Sequence, residues 1–280
     1  MGKMLFGTGV IPRTTLVLGT AGGIRRINEL GLGCMEVEFV QGVRMGETSA
    51  RTVGETAKEE KIALSAHGPY YINLNAREPD KVEASRQRIL QTARVTQVFG
   101  GRSAVFHAAF ILNDAPEVVY QRVRKELSEI AAILKAEGNT VVLRPEVTGK
   151  ASQFGTVDEL IKLGSDVDGV LPCLDFSHLH ARTGRYNTYD EFVSVLQQIE
   201  TGLGRQALHN MHIHVSGIEY GRHGEIRHLD LQSEKSDFNY RELMRALKDT
   251  GAEGLVVCES PPGVLEENAR LLQQTYQAFN

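Results

Sequence analysis

CLDFSHLHARTG, residues 173–184, passes from an apolar run into a carboxylate and two imidazoles within a few positions. Its first half reads as a buried strand. Asp175, His178 and His180 are costly to bury unless something compensates them. The segment is either a strand end opening to solvent or part of a metal site.

Working outward, seven further apolar runs read as strands: 4–9, 34–40, 62–68, 103–109, 140–147, 210–217 and 254–260, with 170–178 as the sixth in chain order. Their starts are mostly ~30–45 residues apart, which suits a strand, a crossover helix and two loops. Residues 79–99 open on Pro79-Asp80 and end before Gly100-Gly101. Residues 115–136 carry Pro116 near the start and Gly138 just past the end, the usual asymmetry of a helix. Shorter helices fit 157–163 and 264–278. Thr188 and Glu191 form a capping-box pair before another. Eight alternations predict an α/β fold, a single (β/α)8 TIM barrel spanning 1–280, with its site at the C-terminal rim. A doubly wound sheet would carry a Gly-rich turn after its first strand. GTGVIPR (7–13) stands there instead, with Pro12 and no third glycine.

Composition bounds the function classes. A chain of 280 residues with 41% hydrophobic and 24% charged residues is ordinary globular material. It has no apolar run near the ~18 residues a membrane span needs, and MGKMLFGTGVIPRTT lacks the apolar core of a signal peptide. Met1-Gly2 is a poor myristoylation start because Phe6 replaces Ser or Thr. Cys34, Cys173 and Cys258 share no CxxC spacing and read as small buried hydrophobes in a reducing, cytoplasmic setting. The net charge of −4 provides no global basic footprint for nucleic acid.

The polar residues that matter fall at strand ends. His67 ends the third strand, and His107 lies toward the end of the fourth. Glu146 ends the fifth, Asp175 and His178 the sixth, and Glu259 the eighth; His212 and His214 lie on the seventh. A barrel gathers these ends on one rim. Carboxylates crowded there repel one another and lose hydration, and divalent cations resolve both problems. Imidazole and carboxylate without thiolate suit Zn, with Mn as a possible alternative. Asp175 and His178, three apart, serve one rim only if the chain turns after the carboxylate. His212 and His214 share a strand face, so one is a ligand while the other supports it or contacts substrate.

The set AHGPYYINL (66–74), VFHAAF (105–110), PEVTGKASQFG (145–155), CLDFSHLHARTG, MHIHVSG (211–217) and CESPP (258–262) resembles the endonuclease IV family, apurinic/apyrimidinic endonucleases among the xylose-isomerase-like barrels. The resemblance implies a base-excision-repair enzyme hydrolysing the phosphodiester 5′ to abasic sites in double-stranded DNA, acting as a monomer. It implies two or three zinc ions. His67, His107 and Glu146 would hold the first, and Glu146, Asp175, His212 and Glu259 the second. His178 and His228 would hold the third. Glu146 and Glu259 would be catalytic. At the third ion the family supplies Asp-x-His, whereas this chain has Ile226-Arg227-His228, with Glu225 one residue away as a candidate to take the aspartate's place. Tyr70, Arg44, Asn73 and His214 are the implied substrate contacts, and Arg77, Arg182 and Arg185 are candidates for phosphates. Coordination lowers the pKa of water to ~7, which supplies a nucleophile at neutral pH. Three zinc ions against Glu146, Asp175 and Glu259 leave a local excess of roughly three positive charges.

Two other classes compete. A sugar isomerase or epimerase of the same barrel type would bind one divalent ion through Glu146, Asp175, His212 and Glu259 and use the two glutamates as acid and base. It would have no need of both His67 and His107. A non-catalytic metal-binding protein is the third.

Overall fold

The computed structural model describes residues 3–279, so the Met1-Gly2 start lies outside the described residues. Eight parallel strands form the inner wall: β1 Met4–Thr8, β2 Cys34–Glu38, β3 Ala63–His67, β4 Ser103–Phe106, β5 Val142–Pro145, β6 Leu174–Asp175, β7 Met211–Val215 and β10 Gly254–Cys258. They are hydrogen-bonded in the order β5-β4-β3-β2-β1-β10-β7-β6. Parallel bridges Leu143↔Val170 and Glu146↔Cys173 join the two ends, which closes the barrel. The remaining strands, β8 Gly217–Gly221 and β9 Gly224–Leu229, make a separate antiparallel hairpin after β7.

Helices pack outside: α1 Thr20–Glu29, α2 Glu47–Glu60, α3 Pro79–Val98, α4 Pro116–Ala136, α5 Val157–Asp166, α6 Phe176–Thr183, α7 Tyr189–Leu203, α8 Arg205–Leu208, α9 Tyr240–Asp249 and α10 Leu265–Ala278. The predicted ends at 79 and 136 hold within a residue. The Thr188–Glu191 capping box is present, and Thr156 with Glu159 forms a second one on α5. The sixth strand differs from its expected extent. The run at 170–178 is not one strand, because β6 is two residues long and Asp175 is already the N-cap of α6.

The interior is filled by layers of inward side chains. Arg144, fully buried on β5, donates to Ser103 Oγ, Pro172 O and Asn210 O at 3.0, 2.9 and 2.6 Å. It closes the barrel floor. No helix among the described residues is long and apolar enough to cross a membrane.

Candidate metal centre

Glu146 is the hub. It follows β5, is 1% exposed, and its N–H donates to Phe106 O across the sheet. Its Oε2 lies 3.1 Å from Nε2 of His67 and 3.1 Å from Nε2 of His107. Its Oε1 lies 3.1 Å from His178 Nδ1 and 3.5 Å from His214 Nδ1. One carboxylate therefore faces two groups of donors with its two oxygens.

Asp175 shows why a short strand matters. Its Oδ1 caps α6 by accepting the His178 N–H at 2.6 Å, and its Oδ2 lies 3.2 Å from His178 Nδ1. The turn into the helix brings positions i and i+3 to one side, as a continued strand could not.

The seventh strand places its two histidines at different depths. His212 and His214 both point inward, but His214 sits beside Asp175 in the β6–β7 register and nearer the rim. Two residues along a strand is ~6.6 Å of depth. His214 accordingly joins Glu146, Asp175 and Glu259, with ligand atoms all within 4.8 Å of one another, while His212 does not. His212 lies a layer deeper with Nε2 3.0 Å from Glu36, an acid 1% exposed that also stands 3.0 Å from His214 Nε2 and accepts from Ser65. His212 and His214 also group with Cys173. Burial pushes that thiol far up, so it stays protonated there.

Two further groups form, His67 with His107 and Glu146, and Asp175 with His178 and His228. At the Asp position of the family pattern, Ile226 points out and is 59% exposed.

These residues fit divalent cations on their own chemistry. Glu146 Oε1, Asp175 Oδ2 and His214 Nδ1 are buried and make no hydrogen bond. Leaving such atoms unsatisfied is costly. His67 Nδ1 faces Gly68 O at 2.9 Å. A carbonyl oxygen only accepts, so this assigns the proton to Nδ1 and turns a lone pair on Nε2 toward Glu146. A lone pair against a carboxylate 3.1 Å away demands a cation between them, either a proton or a metal.

The protonation equilibria say the same. Burial alone would lower the histidines, but the acids outweigh it. Glu146 lifts His67 to about 9, and Asp175 with Glu146 lifts His178 to about 10. Burial pushes Glu259 and Glu38 up to about 7. Burial also raises Glu146, yet His107 and His214 hold it well below the carboxylate range. His212 is lowered by burial to about 4.

The groups open into one cavity of about 330 Å³ whose walls include Glu38, His67, Tyr70, His107, His228 and Glu259. A larger one, about 590 Å³, lies at the other end of the barrel beside Leu5, Lys61 and Arg102, away from every expected ligand. Tyr70 is 53% exposed with its ring 5.9 Å from that of His67. Arg44 lies on the β2–α2 loop. Asn73 is a structural tie, its Oδ1 accepting from Asn75 N and Phe110 N at 3.1 Å. Arg182 is not directed at a ligand; it donates to Thr148, Lys150 and Gln153 and pins the loop after β5. His180 is held by Arg185 O and Asp237.

Two acids were missed. Glu36 and Glu38 alternate on β2, so both face the interior, a pattern visible in CMEVEFV at period two. With Glu225 at the hairpin, they would offset the positive excess expected of three zinc ions.

The sequence model of the family described as Xylose isomerase-like TIM barrel matches residues 24–275. A protein of Methanocaldococcus jannaschii described as uncharacterized is 46% identical over 272 residues, covering 93% of this chain and 97% of that protein. The "Probable endonuclease 4" of Oceanobacillus iheyensis is 27% identical over 165 residues, covering 57% of this chain and 54% of that protein. The matched region thus spans about half the length of that relative. Among solved structures, endonuclease IV from Thermus thermophilus superposes with TM-score 0.73 at 17% identity, covering 98% of this chain and 99% of that one. A D-tagatose 3-epimerase-like protein superposes with TM-score 0.75 at 15% identity, covering 98% of each. At these identities both likenesses speak for the fold alone.

Proposed function

We propose that the chain, which belongs to the xylose isomerase-like TIM barrel family, is a metal-dependent phosphodiesterase that incises double-stranded DNA 5′ to abasic sites. The observation that carries this reading is Glu146, whose two oxygens serve two donor groups in one cavity, with His178 and His228 extending them. A one-ion epimerase has no use for His67 and His107. Two or three zinc ions, or manganese in their place, are the proposed cofactors. The proposed setting is a cytoplasmic monomer.

When bound, such cations neutralise charge on a phosphodiester and make water a competent nucleophile near pH 7. The protein's own groups do the rest. His67, His107 and Glu146 would hold the first ion, and Asp175, His214 and Glu259, with Glu146, would hold the second. Glu259, whose side chain is 12% exposed at the cavity wall, accepts a proton from the attacking water at a carboxylate oxygen. Tyr70 walls the cavity beside His67 and offers a ring face to the nucleotide.

A cavity of about 330 Å³ also suits a second reading, a ketose epimerase using only Glu146, Asp175, His214 and Glu259, with the two glutamates as acid and base. The two are separated by assaying one metal-loaded preparation on an abasic-analogue duplex and on ketohexoses. Incision without epimerisation supports the nuclease; epimerisation with an intact duplex overturns it.

A further inference from the structure

We infer that Glu225 is the carboxylate ligand of a third metal position with His178 and His228, brought there by a β-bulge that ejects Ile226. The inference rests on the metal-centre reading above and adds a ligand that this chain supplies outside the family's Asp-x-His pattern.

Two imidazoles define the position. His178 Nδ1 faces Val147 O at 3.1 Å and His228 Nδ1 faces Glu259 O at 3.0 Å. Each carbonyl assigns the proton to Nδ1. Both Nε2 atoms then carry lone pairs, and they face each other across 3.1 Å. Two lone pairs at that distance repel unless a cation lies between them, a proton in the metal-free chain or a metal ion that displaces it. Glu225 supplies the countercharge, with Oε2 3.5 Å from His178 Nε2 and Oε1 4.0 Å from His228 Nε2. For metal–ligand bonds of ~2.0–2.2 Å in tetrahedral geometry, ligand atoms sit roughly 3.3–3.6 Å apart. The imidazole pair and the two carboxylate oxygens, each nearest a different imidazole, lie 3.1–4.0 Å apart, around that range.

The bulge explains how Glu225 replaces the missing aspartate. In the β8–β9 pairing, Glu219 opposes Arg227 and Tyr220 opposes Glu225, with the register shifting between them. Ile226 is the extra residue. Without the bulge, Glu225 and His228, three apart, would face opposite sides; the inserted residue flips the phase so that both face the cavity. Two glycines seat the strand. Glu225 N donates to Gly149 O at 3.0 Å. A Cβ on Gly149 would meet Glu225 Cβ at 2.6 Å, and one on Gly224 (φ +92°) would meet Gly149 O at 2.1 Å.

Metal stoichiometry tests the inference independently of turnover. The full chain is stripped, titrated with Zn²⁺ alone, dialysed and analysed for zinc per chain. Wild type is expected to retain three equivalents, Glu225→Gln two, and Ile226→Asp three, because position 226 points outward. The third affinity should fall by more than the ~10–100-fold that loss of an outer partner costs. Gly149→Ala, which displaces Glu225 without altering its chemistry, should also lose the third equivalent, so the result does not hang on one variant's folding. Three equivalents of unchanged affinity in Glu225→Gln, or no third equivalent in wild type, overturns the inference. Three equivalents with an intact abasic duplex overturns the nuclease reading and leaves the ligand standing.

Discussion

Glu36 stands behind His214, 3.0 Å from its Nε2, on the side of the ring away from Glu259, which lies 3.2 Å from Nδ1. The acid's charge therefore favours a proton on Nε2 and leaves Nδ1 for the candidate metal position, the role a carboxylate commonly plays behind a ligating histidine. Glu36→Gln should weaken metal affinity about 10–100-fold, read by competition with a chromophoric chelator. Ser65→Ala, which removes only a hydroxyl from Glu36, should have a smaller effect. Unchanged affinity in Glu36→Gln would assign Glu36 to packing alone.

His212 and His214 should separate cleanly. His214→Gln should remove a ligand and at least one equivalent of metal. His212→Gln should leave the metal count intact and lower thermal stability, because it leaves Glu36 with one imidazole fewer. Elemental analysis and thermal melts on the same two samples decide it.

The metal-free protein should lose stability as pH rises. His67 and His178 are raised to about 9 and 10 in the folded chain, above an unfolded value near 6.5. Their stabilising contribution is complete below ~pH 6.5 and is lost as pH climbs through 9 and 10. Glu259, raised to about 7, adds a loss of the same sign between pH 4.5 and 7. Metal binding displaces these protons, so zinc affinity should increase with pH and loaded protein should resist the alkaline loss. Melting curves from pH 5 to 10 with and without zinc test this. A metal-free protein that gains stability above pH 7 would contradict it.

Much of the site was legible before any coordinates. The barrel followed from eight apolar runs at crossover spacing, and His67, His107, Glu146, Asp175, His178 and Glu259 stood at their ends. Layer depth was not legible. His212 and His214 are equivalent by periodicity, and only the register with Asp175 puts the latter at the rim. Glu225 was in view as a stand-in for the aspartate, but the route that brings it to the cavity was not, since a bulge changes strand phase without leaving a mark in residue type. Arg144, two residues before Glu146, serves carbonyls at the floor rather than the neighbouring carboxylate.

That floor is a stability element. Arg144→Leu orphans two carbonyls and a hydroxyl, and should cost about 3 kcal/mol against denaturant, given ~1–3 kcal/mol for each buried unsatisfied group and relief of the buried charge. Zinc content should remain unchanged.

Nucleic-acid binding should depend on the rim. Arg13, Arg44 and Arg222 lie on separate loops and make no ion pair among the described residues. If one of these arginines contacts a phosphate, its replacement by alanine should weaken duplex binding and reduce the salt slope by about one. Tyr70→Ala should weaken binding to an abasic duplex more than to an intact one. Equal losses on both would remove Tyr70 from recognition.

The most direct test is a gel assay on a duplex with one tetrahydrofuran abasic analogue, using protein stripped by chelator and the same protein restored with Zn²⁺. The proposed activity predicts one cut 5′ to the analogue, leaving a 3′-hydroxyl that a polymerase extends, present only after restoration and lost in Glu259→Gln. A fully zinc-loaded chain that leaves this duplex uncut would contradict it.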